Sequence, residues 1–297
     1  MVENEEAKPS KAKVFARRLT SALILYGVLL AGLFAPNETV KLVAFGGVIS
    51  ILGVLGLLEF FNLAEKRGYT PFKSFGVISG LGLILSVFFA LAIEKNPDRA
   101  IKNEISFFIG SLLMLCMFHF VLPNRKERIA PILSTFAGFI YVVLLLNVLQ
   151  LIRYFGGDDG NGHWWLLYFI VVSKMSDTGA YCVGSLIGKH KMVPRISPGK
   201  TWEGFAGGIA FSVLTSWAFF QFHPGVFAAM KIEWALGLGA ILGVGSVVGD
   251  LIESMMKRAA DVKDSGNFLP GIGGTLDLLD SLLFNAPFMY LFLKYVL

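Results

Sequence analysis

The amino-acid sequence predicts an all-α polytopic integral membrane protein with about nine transmembrane helices. The chain of 297 residues is 55% hydrophobic and 16% charged, whereas a soluble domain carries about 25% charged residues. Its apolar residues gather in runs near the length of a membrane-spanning helix, about 17–25 residues. Lys and Arg gather between alternate runs, which indicates a fixed orientation in a membrane.

A polar, basic tail over residues 1–18 precedes the first apolar run and ends in Arg17-Arg18. A secretory signal begins in the same way, but eight further apolar runs favour an uncleaved first span. We divide the remainder into an N-terminal region of about five transmembrane helices, 19–152, and a C-terminal catalytic region of about four, 153–297. The predicted spans are 19–34, 40–58, 75–93, 105–122, 132–152, 164–182, 204–222, 234–250 and 281–297.

The distribution of positive charge predicts the orientation of the chain. With the N-terminus inside, 18 of the 26 Lys and Arg residues lie in inner segments and 6 in outer loops. Such an excess marks the cytoplasmic side, so we expect a cytoplasmic N-terminus and an outer C-terminus. The net charge of +5 then reflects orientation and anionic lipid rather than nucleic acid. The two cysteines show neither a disulfide framework nor a Cys/His metal spacing.

The first polar constellation lies inside an apolar run, in VVSKMSDTGAYCVG at 171–184. Lys174 and Asp177 are three residues apart, so they share one helix face. Ionisable groups at membrane depth usually pair with each other or line a wet cavity. The pair therefore either neutralises itself or forms a cavity wall, to which Ser173 and Thr178 add oxygen atoms.

The second constellation is the basic loop 183–203, within GSLIGKHKMVPRISPGKTWEG at 184–204. It could be a patch for lipid headgroups and nothing more. Ser197-Pro198 suits a turn or the start of a helix. Thr201 and Glu203 lie at the mouth of the next span, and Lys200 beside a helix N-terminus would suit a phosphate.

The third constellation surrounds the loop 251–280, which connects the last two spans. Asp250, Ser254, Lys257 or Arg258, and Asp261 recur on one helix face. Gly266, Pro270, Gly271, Gly273 and Gly274 then turn the chain back, and Asp277 and Asp280 open the last helix. Carboxylates that converge from two helix ends suit Mg²⁺, which shares its coordination with waters and substrate phosphates. The simpler interpretation is a solvated, charge-balanced loop.

These residues resemble the CTP:phosphatidate cytidylyltransferases, also called CDP-diacylglycerol synthases. The family signature is matched, at its spacing, by Ser254, Lys257-Arg258, Lys263-Asp264, Pro270-Gly271, Gly273-Gly274, Asp277 and Asp280. The segments SDTGAY at 176–181 and PRISPGKTWEG at 194–204 are also similar to the family. The resemblance is close over residues 170–290. Ile272 and Leu278 depart from it, because the signature has His and Arg there.

The resemblance implies that CTP and phosphatidic acid become CDP-diacylglycerol and pyrophosphate. It implies an Mg²⁺-dependent multi-pass enzyme of a bacterial-type plasma membrane, with its active site on the cytoplasmic face and membrane lipids around it. A second cation and a homodimer are left open. The implied catalytic residues are Asp250, Lys257, Arg258, Asp277 and Asp280, of which Asp250, Asp277 and Asp280 would bind the metal. The implied substrate-binding residues are Asp177, Thr178, Ser197, Lys200, Thr201, Glu203, Ser254, Lys263 and Asp264.

Three alternatives remain at this stage. A transporter would also place charges in broken helices, although these should reach the bilayer midplane in matched halves. A CTP-dependent polyprenol kinase would need the same nucleotide and metal but would attack a different phosphate. A catalytically inactive relative would account for Ile272 and Leu278.

Overall fold

A computed structural model describes residues 11–121, 129–157, 161–266 and 273–297. Within these ranges the chain forms nine helical segments and one short hairpin. The helices are α1 (Lys11–Phe34), α2 (Glu38–Lys66), α3 (Lys73–Ala92), α4 (Pro97–Val121), α5 (Ala130–Arg153), α6 (Gly162–Ile187), α7 (Trp202–Phe222), α8 (Ile232–Ala259) and α9 (Thr275–Tyr295). The strands are β1 (Lys191–Val193) and β2 (Ser197–Thr201).

The all-α polytopic prediction is confirmed. Each of the nine predicted runs coincides with a helix, and seven helices of the described ranges are long and apolar enough to cross a membrane. The other two are α1 and α6, so the number of spans and the sides of the termini stay predictions. Residues 1–10 of the predicted tail lie outside the described residues, as does Ile272.

Local sequence explains several helix ends and one irregularity. Asn37 caps α2, since its Oδ1 accepts a hydrogen bond from the Thr39 N–H at 2.9 Å. Pro131 lies in the first turn of α5, where a missing N–H costs nothing. Residues Phe139–Leu144 of α5 wind as a π-helix, a form that often occurs near functional sites.

The segment after Pro194 differs from the prediction. Ser197-Pro198 begins strand β2 rather than a helix, and β2 pairs antiparallel with β1. Helix α7 starts only at Trp202, where Thr201 Oγ1 accepts a hydrogen bond from the Gly204 N–H at 3.1 Å. The physical reason is that pairing with β1 gives hydrogen-bond partners to backbone groups of this segment. The first N–H groups of a helix beginning at Pro198 would have had no partner within that helix.

Small and polar side chains hold the C-terminal helices together. The Asn285 amide on α9 donates to the Leu242 carbonyl at 2.8 Å and to Ser246 Oγ at 2.9 Å, both on α8. It also lies 3.3 Å from Ser173 Oγ on α6. In an apolar surrounding such interhelical bonds and close backbone contacts replace the hydrophobic effect as the source of association. Helix α9 also packs against α2 and α5, so both halves of the chain share one core.

We predict that Gly249→Ala lowers the thermal stability of the protein in detergent. A Cβ at this position of α8 would lie 2.6 Å from the Asp280 carbonyl oxygen and 3.0 Å from Phe284 Cβ. Overpacking of this kind costs about 1–3 kcal/mol. Gly237→Ala is the matched control, because its Cβ on the same helix would meet nothing within 4 Å. Equal melting temperatures for the two variants would contradict the close approach of α8 and α9.

Candidate functional site

A cavity of about 400 Å³ opens where α6, α7, α8, α9 and the hairpin meet. It brings together charged residues from all three constellations of the sequence. Its lining consists of Lys174, Asp177, Ala180, Tyr181, Met192, Ser197, Gly199, Lys200, Thr201, Gly204, Phe205, Val247, Asp250, Asp277 and Asp280. Three lysines organise the carboxylates in and beside this cavity.

Lys174 joins α6 to α9. Its Nζ lies 3.4 Å from Asp280 Oδ1 and 3.6 Å from Asp177 Oδ2, and it donates a hydrogen bond to Ser281 Oγ at 3.0 Å. The side chain therefore does more than neutralise Asp177 within its own helix. Of the two interpretations of this pair, the structure supports the cavity wall, to which Lys174 and Asp177 contribute but Ser173 and Thr178 do not.

Lys200 joins the hairpin to α8. Strand β2 presents its side chain to Asp250, with which it forms an ion pair, and its Nζ donates to the Val247 carbonyl at 3.2 Å. Ser197 and Thr201, from the same strand, line the cavity as well. The hairpin thus places Lys200 at the cavity, where it contacts α8 rather than the N-terminus of a helix.

Lys257 joins α8 to α9. It forms ion pairs with Glu253, one turn earlier on α8, and with Asp277 Oδ1 at 2.5 Å. Asp277 Oδ2 accepts hydrogen bonds from the Gly274 N–H at 2.8 Å and the Ser265 N–H at 3.2 Å. Both carboxylate oxygens of Asp277 are therefore engaged by the protein itself.

Three other carboxylates come together as a potential metal site. Ligand oxygens of Asp250, Glu253 and Asp280 lie within 4.8 Å of one another. Glu253 is fully buried, and its Oε1 has no hydrogen-bond partner among the described residues. Oxygen donors converging from two helices, one of them unsatisfied, fit a hard divalent cation such as Mg²⁺.

This set differs from the predicted ligands in one member. Asp250 and Asp280 belong to both sets, whereas Asp277 binds Lys257 and Glu253 takes the third place. The sequence interpretation did not include Glu253. A carboxylate one turn after Asp250, on a largely apolar helix, is the signal that would have identified it.

Several predicted residues lie around the cavity rather than in it. Glu203 accepts hydrogen bonds from the Lys189 and His190 N–H groups at 3.1 and 3.2 Å and thereby holds the start of the hairpin. Thr178 is exposed and donates to the Lys174 carbonyl at 3.2 Å. Arg258 is exposed as well and donates to the Ile196 carbonyl at 3.3 Å.

The remaining signature residues have different surroundings. Ser254 is buried within α8, and Lys263 and Asp264 are exposed on the segment that follows this helix. Leu278 packs against the hydrophobic core. The position at which this chain lacks the signature Arg therefore contributes to packing, and Leu278 does not line the described cavity.

The fold and the site together define a polytopic membrane protein with a cavity lined by lysines and carboxylates. The chain belongs to the cytidylyltransferase family, whose sequence profile matches residues 16–296. The resemblance seen in the motifs is thereby confirmed.

Bacterial relatives extend over nearly the whole chain, and each is named phosphatidate cytidylyltransferase. The protein of Haemophilus influenzae is 30% identical over 295 residues, 95% of this chain and 99% of the relative. That of Bacillus subtilis is 35% identical, over 91% of this chain and 96% of the relative. The protein of Staphylococcus aureus (strain COL) is 41% identical, over 82% of this chain and 87% of the relative.

We predict that Lys257→Met destabilises the folded protein by about 3 kcal/mol, since removing one partner strands a buried charge. Both Glu253 and Asp277 would lose their cation. Thermal unfolding in detergent measures the effect. Lys66→Met, at the exposed end of α2, is the control and should melt like the wild type. A wild-type melting temperature for Lys257→Met would show that these pairs contribute nothing to stability.

Proposed function

We propose that this protein transfers CMP from CTP to phosphatidic acid, which yields CDP-diacylglycerol and pyrophosphate, at the cytoplasmic face of a bacterial plasma membrane. The observation that carries the proposal is the convergence of charged residues from all three constellations of the sequence on one cavity. Lys200, Asp250 and Asp277 come from separate parts of the sequence and line it together. The relatives' common name supplies the substrates. The excess of Lys and Arg in the predicted inner segments supports the cytoplasmic side.

The reaction is a displacement at phosphorus. An oxygen of the phosphatidate phosphate attacks the α-phosphorus of CTP, a new P–O bond forms, and the P–O bond to the β-phosphate breaks as pyrophosphate leaves. The attacking phosphate is already an anion at neutral pH, so the step needs no strong base. It requires neutralised charge and in-line positioning.

The chain's own lysines supply much of that neutralisation. Lys174, Lys200 and Lys257 each form an ion pair with a carboxylate at the cavity. An arriving phosphate can share these cations without placing an unpaired charge in an apolar surrounding. The lysines also fix where the phosphates lie, because each is held by contacts to a second element of the fold.

We assign the Mg²⁺ site to Asp250, Glu253 and Asp280. A bound Mg²⁺ would withdraw charge from the phosphate oxygens and orient them. Asp277 lines the same cavity, and its Oδ1 forms an ion pair with Lys257. It joins the ligands only if Lys257 moves away from Oδ1.

Three observations favour this function over the alternatives. The charged groups gather among the C-terminal helices and the hairpin, whereas a transporter of inverted repeats would carry them in matched halves. Family membership and the relatives' name favour transfer to phosphatidate over polyprenol phosphorylation. The retained carboxylates argue against an inactive relative.

We predict that the purified protein with Mg²⁺, phosphatidate and CTP labelled at the α-phosphate forms a labelled CDP-lipid. Label at the γ-phosphate should appear only in pyrophosphate. A polyprenol kinase would instead transfer the γ-label to lipid. Absence of CDP-lipid from the wild type would reject the proposed function.

The same assay tests the role of Asp277. Asp277→Ala should reduce product formation by about 100-fold, because the position of Lys257 is lost. Asp98→Ala, in the first turn of α4 and outside the cavity, is the control and should remain active. Wild-type activity in Asp277→Ala would remove this residue from the active site.

The metal assignment makes a separate prediction. Glu253→Gln should raise the half-saturating Mg²⁺ concentration by about tenfold or more, since altered metal surroundings typically cost 10–100-fold in affinity. Glu233→Gln, in the exposed first turn of the same helix, should leave the Mg²⁺ titration unchanged. An unaltered titration in Glu253→Gln would exclude that residue as a ligand.

A further inference from the structure

Glu59 is a buried carboxylate in the N-terminal half of the chain. It lies on α2, seven residues before the end of this helix, and its exposed fraction is 7%. None of the family motifs includes it, and it does not line the described cavity. A buried acidic residue on an apolar helix requires compensating hydrogen bonds.

Within the described ranges, the hydrogen bonds to Glu59 come from the first turn of α9 and from Ser265, on the segment that follows α8. Its Oε1 accepts a hydrogen bond from the Thr275 N–H at 2.9 Å. Its Oε2 accepts one from the Leu276 N–H at 2.9 Å and lies 3.1 Å from Ser265 Oγ. The first N–H groups of a helix have no partner within it, and the N-cap residue, Gly274, has no side chain to offer. Glu59 therefore caps α9 from another helix, with a charge that suits the helix dipole.

The surrounding chain leaves room for this carboxylate. A Cβ at Gly274 would lie 2.7 Å from Glu59 Oε2, and a Cβ at Gly266 would lie 2.1 Å from Glu59 Oε1. Both glycines thus allow the chain to approach the Glu59 carboxylate closely, which the Cβ of any larger residue would prevent. The Glu59 carboxylate and the segment that contains these glycines pack closely together, although more than 200 residues of sequence separate them.

One of the groups that bind Glu59, the Ser265 hydroxyl, also binds Asp277. The Ser265 hydroxyl lies 2.9 Å from Asp277 Oδ2, so it can donate its one proton either to Asp277 or to Glu59. The Gly274 N–H donates to the same Asp277 oxygen at 2.8 Å. Asp280 follows one turn later on α9. The position of both aspartates therefore depends on where Glu59 holds the first turn of the helix.

We propose that Glu59 is a positioning residue for the reaction: it anchors the first turn of α9 and the Ser265 segment, and so places Asp277 and Asp280 at the cavity. The N-terminal helices then contribute to the active site through α2. This inference rests on the proposed function, which the wild-type assay tests separately.

The test uses the full-length protein in detergent and the variants Glu59→Ala and Glu59→Gln. Glu59→Ala should lower kcat by about 10–100-fold, since small misplacement of reacting groups has such effects. The KM values for CTP and phosphatidate should change much less. Glu59→Gln keeps the size of the side chain and one acceptor oxygen but turns an N–H towards a backbone donor. Its kcat should therefore lie between those of the wild type and Glu59→Ala.

A direct readout separates positioning from a general loss of folding. Hydrogen exchange at the amides of Thr275 and Leu276 should become at least about tenfold faster in both variants, while the core of α8 stays protected. Glu65→Gln is the matched control, because Glu65 lies on the same helix but is exposed and pairs with Lys73 at 2.7 Å. It should retain wild-type kcat and wild-type exchange.

Three outcomes would overturn the proposal. The first is a wild-type kcat in folded Glu59→Ala or Glu59→Gln. The second is unchanged exchange at Thr275 and Leu276. The third is a Glu59→Gln variant whose activity falls only because less of it folds, so that kcat per folded molecule equals that of the wild type. If Glu59→Ala does not fold, Glu59→Gln and Glu65→Gln still decide the question. If the wild type and Glu65→Gln both lack activity, it is the proposed function that fails.

Discussion

The charge pairs between lysines and aspartates on different elements are the interaction on which this site depends. An ionised group among apolar helices is costly unless a counter-charge or hydrogen bonds compensate it. Lys174 on α6 reaches Asp280 on α9, Lys200 on β2 reaches Asp250 on α8, and Lys257 on α8 reaches Asp277 on α9. Charge compensation therefore both joins the four elements and gives the cavity its shape.

The same pairing explains how the site can serve phosphate chemistry. Without substrate, each of these carboxylates has a lysine partner, so the protein does not hold isolated charges within its apolar surroundings. Phosphate groups and a divalent cation would each find a partner of opposite charge already in place. A preorganised arrangement of this kind needs little rearrangement when charge shifts during reaction.

The N-terminal helices are more than a separate membrane anchor, because one of them contacts a helix that carries residues of this site. Helix α2 packs against α9 and sends Glu59 to the first turn of that helix. Small and polar residues such as Asn285 then hold α9 to α8 and α6. Because Asp277 and Asp280 stand on α9, their geometry reflects contacts from both halves of the chain.

The sequence by itself determined the helical membrane fold, since apolar runs of sufficient length have few other stable structures in lipid. It also determined the shared face of Lys174 and Asp177, because helix periodicity is local. It singled out Lys200, Asp250, Asp277 and Asp280, which line the cavity, but also residues that do not. Only the tertiary structure decided that Asp250 meets Glu253 and Asp280, while Asp277 binds Lys257. It also decided the strand at Ser197 and the cap from Glu59. These depend on helix rotation and on contacts between distant residues, such as Lys174 with Asp280, which no local pattern specifies.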